Sequence, residues 1–284
     1  MSIVEKRMRA SRWPTVLLLG LITMAASACA EPPSACRNVV VLTGFWPPTN
    51  EMLRQWSTHP VQNPQSWRGR NWRNLGYDVY AFFPEFPPDG DPTNDDIGEP
   101  GSVGSEDSDL RVDYQDASAD FWRIMDTYEP RILITTSRGG AIGWELEAFE
   151  GGHTEWASDR FGEHHLPAAG TVDPRSIDAI TSFKDGVRLP SKLPLNKLET
   201  ELSGLNPRVA VQIDENTSGN YLSGFVGLHG LYYNHITPDN LAAGHIHVGR
   251  DVSNADATMM MEETLERVLL EHPPCNSADQ GGAD

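Results

Sequence analysis

Three consecutive segments decide the fold: "RVAVQID" (Arg208–Asp214), "GNYLSGFVGLHGLYYNH" (Gly219–His235) and "AGHIHVG" (Ala243–Gly249). The first alternates apolar and polar residues with the period of a strand. The second brings Tyr221, Phe225 and Leu228 onto one helical face despite its glycines. The third is short and apolar, and alternation puts His245 and His247 on one side of a strand. Strand, helix and strand in this order make the repeating unit of an α/β protein.

The pattern extends outward in both directions. "NVVVLTGF" (Asn38–Phe45) is a continuous apolar run, as a strand buried on both faces requires. "NEMLRQWSTH" (Asn50–His59) reads as a helix and "YDVYAFFP" (Tyr77–Pro84) as a second strand. "DASADFWRIMDTYEP" (Asp116–Pro130) places Ala117, Phe121, Ile124 and Met125 on one helical face, and "RILITTS" (Arg131–Ser137) is a third strand. Its exit, Gly139-Gly140, leads into "AIGWELEAF", whose Glu145 and Glu147 read as carboxylates on a helix. "LPLNKLETELSGL" (Leu193–Leu205) is a helix ending near Gly204. "DATMMMEETLERVLLEH" (Asp256–His272) is a closing amphipathic helix, with Met259 to Met261 as core rather than as a metal site. Residues 87–109 and 153–185, rich in breakers or without period, are loops. The expected architecture is a single three-layer α/β/α sandwich with a largely parallel twisted sheet.

The expected organisation is a signal peptide over residues 1–28, a linker over 29–37, one domain over 38–273 and a disordered tail over 274–284. Lys6, Arg7, Arg9 and Arg12 precede the apolar run "TVLLLGLITMAA", which is followed by small residues. That is the layout of an exported protein's leader. Two cleavage readings compete. Ala26-Ser27-Ala28-Cys29 is similar to a lipobox and would make Cys29 the lipidated residue; Ala28-Cys29-Ala30 fits ordinary secretion. The expected location is therefore the periplasm or a membrane reached through a lipid on Cys29, or otherwise the medium. Export suits the remaining cysteines, Cys36 and Cys275, which flank the domain and would pair in an oxidising compartment.

With 40 acidic and 22 basic residues, the net charge is −18. Such a surface repels phosphate backbones, which argues against nucleic acid as a partner. No cysteine lies between Cys36 and Cys275, which removes thiol chemistry from the core.

In open α/β sheets the chemistry gathers where strands end and helices begin. Ser223 stands where strand turns into helix, near free backbone amides that could hold an oxyanion; the plain alternative is a helix cap. His247 or His245 could serve as a base oriented by a carboxylate. The pair could also bind a metal, but local spacing shows no third ligand.

In order along the chain, "VVVLTGFWPP" (Val39–Pro48), "LRVDYQDASADFWRIMDTYEPRILITT" (Leu110–Thr136), "RGGAIGWELE" (Arg138–Glu147), "LPSKLPLNKLETEL" (Leu189–Leu202), "NTSGNYLSGFVGLHGLYY" (Asn216–Tyr233) and "GHIHVG" (Gly244–Gly249) resemble the segments of pyroglutamyl peptidase I, the pyrrolidone-carboxylate peptidase family of cysteine peptidases. The similarity runs from about Asn38 to His272. It implies the nucleoside-phosphorylase-like sandwich, no cofactor, and removal of an N-terminal pyroglutamyl group by a Cys–His–Glu or Cys–His–Asp arrangement. The family's histidine falls on His247, its glutamate on Glu147, and its cysteine on Ser223. Phe45, Gly139 and Gly140 fall on the substrate pocket, with Arg160 standing in for a family arginine. The second phenylalanine of the family's ring wall falls on Pro48.

Two functions follow from the resemblance. One is an exported hydrolase that acts on a pyroglutamyl or related acyl-amide group through Ser223, His247 and Glu147. The other is an inactive relative that binds a peptide or small molecule. An oligomer is compatible with either.

Overall fold

The computed structural model describes residues 36–86, 104–105, 107–140, 143–153, 155–159, 166–167, 188–217 and 219–275. The leader, Cys29, Arg160, the end of the tail from residue 276, and most of the two expected loops lie outside them. Among the described residues no helix is long and apolar enough to cross a membrane.

Among the described residues seven strands form one sheet: β1 (Val39–Thr43), β2 (Asp78–Phe82), β3 (Ile132–Arg138), β4 (Trp144–Gly151), β5 (Arg188–Pro190), β6 (Val211–Thr217) and β7 (Ala242–Val248). Four α-helices accompany them among the described residues: α1 (Tyr114–Tyr128), α2 (Leu195–Leu202), α3 (Leu222–Ile236) and α4 (Asn254–Glu271). The strand order is β2-β1-β3-β7-β4-β5, with β6 on the other edge of β4. β1, β2, β3 and β7 are mutually parallel, and β4 and β6 are parallel to each other. β4 is antiparallel to both β7 and β5. The sheet is thus largely parallel, as its apolar runs require.

Side-chain alternation divides the sheet into two apolar faces. Val40, Leu42, Ile132, Ile134, Trp144, Leu146, Ile246 and Val248 pack with Leu198 and Leu202 of α2 and with Met260, Met261, Leu265 and Val268 of α4. Val41, Leu133 and Ala243 point the other way, toward Ala117, Phe121, Ile124 and Met125 of α1 and Leu222, Phe225, Leu228 and Leu231 of α3. Two helix pairs on two faces make the three-layer sandwich.

Helix α1 begins at Asp113, whose carboxylate accepts from the N–H groups of Gln115 and Asp116, as an N-cap should. It ends at Glu129 in the left-handed region, just before Pro130. The expected helix at Asn50–His59 shortens to one 3-10 segment, Glu51–Trp56. Cys36 and Cys275 are joined as a disulfide with Cα atoms 6.1 Å apart. Asn38 holds the same junction, donating to Cys275 O at 2.9 Å and accepting from Cys275 N at 2.9 Å.

One expectation needs correction. Glu145 and Glu147 lie on a strand, β4, not on a helix. The reason is visible in "WELEA": Trp144, Leu146 and Ala148 are buried together, while Glu145 and Glu147 take the opposite side, and this period of two suits a strand.

Candidate active site

β7 sits between β3 and β4, and their register builds the site. Ser137 of β3 lies beside His247, and His247 lies opposite Glu145 of β4. Glu147 is two residues further on, on the same side of β4, and Asp214 of β6 pairs with it in register. The face they share is the one covered by α1 and α3.

His247 Nδ1 and Glu147 Oε1 are 2.6 Å apart. A carboxylate accepts, so Nδ1 carries the proton and donates, which leaves the lone pair on Nε2. Glu147 is 2 % exposed and His247 12 %. Burial raises the Glu147 carboxyl above its ordinary value; the bond to His247 opposes this, while Asp214 and Glu145 reinforce it. Glu147 Oε2 is buried and has no hydrogen-bond partner among the described residues.

His245 has a different character. Its ring is fully buried, with Nδ1 2.8 Å from Thr135 Oγ1 and Nε2 2.9 Å from Ser137 Oγ. Thr135 Oγ1 also donates to Gly244 O, so it accepts from His245 Nδ1–H, and Ser137 donates to Nε2. Burial, then the neighbouring His247, holds His245 well below the usual imidazole range. It is a neutral residue whose ring packs edge-on against His247, with centroids 4.8 Å apart. Of the two histidines, only His247 meets a carboxylate.

Ser223 is the second residue of α3, and it is half-buried. The N-cap position belongs to Tyr221, whose side chain caps nothing, so Ser223 is not the helix cap. The first-turn N–H groups of a helix have no partner within it, and here no N-cap side chain supplies one. Two contacts orient α3 over the sheet. Tyr221 stacks on Trp46, with centroids 6.3 Å apart and planes at 16°; Trp46 follows the exit of β1. Lower down, a Cβ on Gly230 would stand 3.2 Å from Thr135 Cγ2. The helix therefore starts at the sheet end where β1 and β3 exit, the end that holds His247. No hydrogen bond joins Ser223 Oγ to His247 among the described residues.

Phe45 is buried, and its ring centroid is 5.7 Å from that of Trp46. Gly139 lies against the His247 ring: a Cβ there would be 2.8 Å from His247 Cβ. Gly140 is exposed, with nothing near its missing Cβ. The structure thus joins Glu147 and His247 directly, packs Gly139 on His247, and sets Ser223 and Phe45 at the same end of the sheet. Arg160 lies outside the described residues.

Residue reading missed four contributors. Glu145 could have been found from the alternation in "WELEA". Trp46 and Tyr221 carry no local signal, because their stack joins positions 175 apart. Ser137 escaped because its role exists only through His245.

No protein-family model matches the chain, and no curated protein matches it. Solved structures do. Pyrrolidone carboxyl peptidase from the hyperthermophile Pyrococcus furiosus superposes with a TM-score of 0.54 at 15 % identity, covering 82 % of this chain and 99 % of that one. The pyrrolidone carboxyl peptidase of Thermococcus litoralis gives 0.53 at 14 %, over 84 % and 98 %. Pyroglutamyl peptidase I of Bacillus amyloliquefaciens gives 0.52 at 11 %, over 82 % and 98 %. At such identities the likeness is one of fold: this chain has the architecture of the pyrrolidone carboxyl peptidases along nearly their whole length.

Proposed function

We propose that the protein is an exported hydrolase of the pyroglutamyl-peptidase kind, which cleaves an N-terminal pyroglutamyl or related small acyl-amide group with a serine in the nucleophile's place. The observation that carries this reading is the Glu147–His247 pair, 2.6 Å apart at the end of the sheet where α3 begins. It fixes the tautomer that presents Nε2 as a base.

In this mechanism the Ser223 hydroxyl attacks the acyl carbonyl as His247 Nε2 takes its proton. An alcohol is far less acidic than a thiol, so proton removal accompanies attack rather than preceding it. Glu147 stabilises the imidazolium that forms, and the free amides of the first turn of α3 hold the oxyanion. His247 then gives the proton to the leaving amine. Water, activated by the same imidazole, hydrolyses the acyl-serine. Phe45 would wall the acyl group, with Gly139, Gly140 and Arg160 completing the pocket. No cofactor enters any step.

The leader suggests export over residues 1–28, with the domain at 38–273 and a lipid on Cys29 as the anchoring form. Globomycin-sensitive processing of the precursor supports the lipid; maturation that ignores globomycin supports plain secretion.

The second reading, a binding protein, draws on Pro48 standing where the family's ring wall has phenylalanine. Turnover of a pyroglutamyl-coumarin substrate separates the two. Release of coumarin by the wild type and its loss in Ser223→Ala supports the hydrolase. A silent wild type together with an active Ser223→Cys indicates a family pocket with a disabled nucleophile. Silence in both favours binding or a different acyl substrate.

A further inference from the structure

We propose that Glu145, Glu147 and His247 form a binding site for a divalent ion of the zinc class, and that occupancy removes His247 from service as a base. Each of the three side chains offers one ligand atom, and these atoms lie within 4.8 Å of one another. The ligands that the spacing of His245 and His247 did not supply, Glu145 and Glu147, both come from the neighbouring strand β4, and His245 is not among them. Glu145 stands directly across the β4–β7 pair from His247, and Glu147 follows on the same face.

A separate observation points to a cation. Glu147 Oε2 is buried and unpartnered, in a side chain only 2 % exposed. A carboxylate oxygen cut off from both water and donors is costly. A metal ion between the strands satisfies that oxygen and neutralises the charge that Glu145 adds. Gly139 shapes the space: its absent Cβ would come within 3.1 Å of Glu145 Oε2 and 2.8 Å of His247 Cβ.

The donor set selects the metal. One imidazole nitrogen and two carboxylate oxygens suit zinc and its neighbours, whereas magnesium prefers all-oxygen octahedral surroundings. Three protein ligands with a fourth position open to water is an ordinary zinc arrangement. With bonds of about 2.0 Å, tetrahedral ligand atoms stand roughly 3.3 Å apart. Binding therefore widens the 2.6 Å gap between His247 Nδ1 and Glu147 Oε1 and draws together the ligand atoms that stand up to 4.8 Å apart.

Either ring nitrogen gives the same consequence. Coordination through Nδ1 moves its proton, by way of solvent, to Nε2; with Nε2 protonated, the imidazole cannot accept a proton from a nucleophile. Coordination through Nε2 uses the lone pair itself. The metal site stands without the hydrolase reading, whereas the inhibition rests on it.

The test is calorimetric titration of the metal-stripped full chain with zinc chloride. One ion per chain is expected, with affinity at least tenfold weaker in Glu145→Gln, whose half-exposed position tolerates the change. Cobalt(II) in place of zinc should give visible d–d absorption that Glu145→Gln diminishes. Absent saturable binding, or equal affinity in wild type and Glu145→Gln, overturns the site. Where the chain turns over coumarin substrate, saturating zinc should abolish turnover; undiminished turnover overturns the inhibition. Binding is read as heat, so zinc uptake by a chain without turnover counts against the hydrolase alone, and turnover without zinc uptake counts against this site alone.

Discussion

His247 Nδ1 donates to Glu147 Oε1 across 2.6 Å, and the bond ties β7 to β4 where the two strands run antiparallel. Glu147→Gln keeps the size of the side chain but can present its amide to Nδ1, which favours the wrong tautomer. Turnover should fall by about 10²–10⁴-fold with little change in KM. Steady-state kinetics with the coumarin substrate measure this. Unchanged kcat would remove Glu147 from the mechanism.

Gly227 lies against β4, and an added Cβ would stand 2.7 Å from Glu150 Oε1. Glu150 is fully buried, so it has little room to yield. Gly227→Ala should destabilise the domain by about 1–3 kcal/mol through overpacking, read as a lower urea midpoint. Gly219→Ala, with open space around its Cβ, is the control and should leave the midpoint nearly unchanged.

The Cys36–Cys275 bridge closes almost the whole domain into one loop, with a sequence separation of 239. A bridge that constrains so long an unfolded chain typically contributes about 2–5 kcal/mol. Replacing both cysteines by serine, or reducing the bridge, should lower the denaturation midpoint accordingly. A midpoint indifferent to reductant would show that Asn38 alone secures the tail.

Stability should decline as pH falls below neutrality. His229 on α3 is buried, with Nδ1 2.7 Å from Phe225 O and Nε2 3.0 Å from Ser118 Oγ. Burial pushes it down to about 4 from 6.5, and His245 is likewise lowered. Between those values the unfolded chain binds the proton and the native one does not, so stability present above pH 6.5 is lost toward pH 4. At about 1.4 kcal/mol per unit, His229 alone contributes a loss on the order of 3 kcal/mol. Urea melts at pH 7 and pH 5 check this; equal midpoints would show that these imidazoles protonate in the folded state.

The fold was legible because its signals are local. "NVVVLTGF" and "RILITTS" are apolar in the manner of strands buried on both faces, and the helices around Phe121, Leu198 and Met261 show a clear apolar side. The mixed direction of β4 was not legible, because pairing partners are chosen by tertiary contacts. The likeness of "RGGAIGWELE" and "GHIHVG" to family segments singles out Glu147 and His247, yet the residues alone read Glu147 as helical, because after "GGAIG" the alternation is too short to fix the period. Trp46 against Tyr221 and Glu145 opposite His247 were invisible for the same reason as the sheet order. Each relation exists only between strands or loops far apart in the chain.

The central claim is that Ser223 is a nucleophile served by His247. A fluorophosphonate probe bonds to an activated serine oxygen with loss of fluoride, and mass spectrometry of the digested protein locates the adduct. The adduct is expected on Ser223 in the wild type, and it should be lost in His247→Ala while circular dichroism shows that variant folded. Ser223 left unmodified in a folded wild-type chain, or modified equally without His247, would contradict the account.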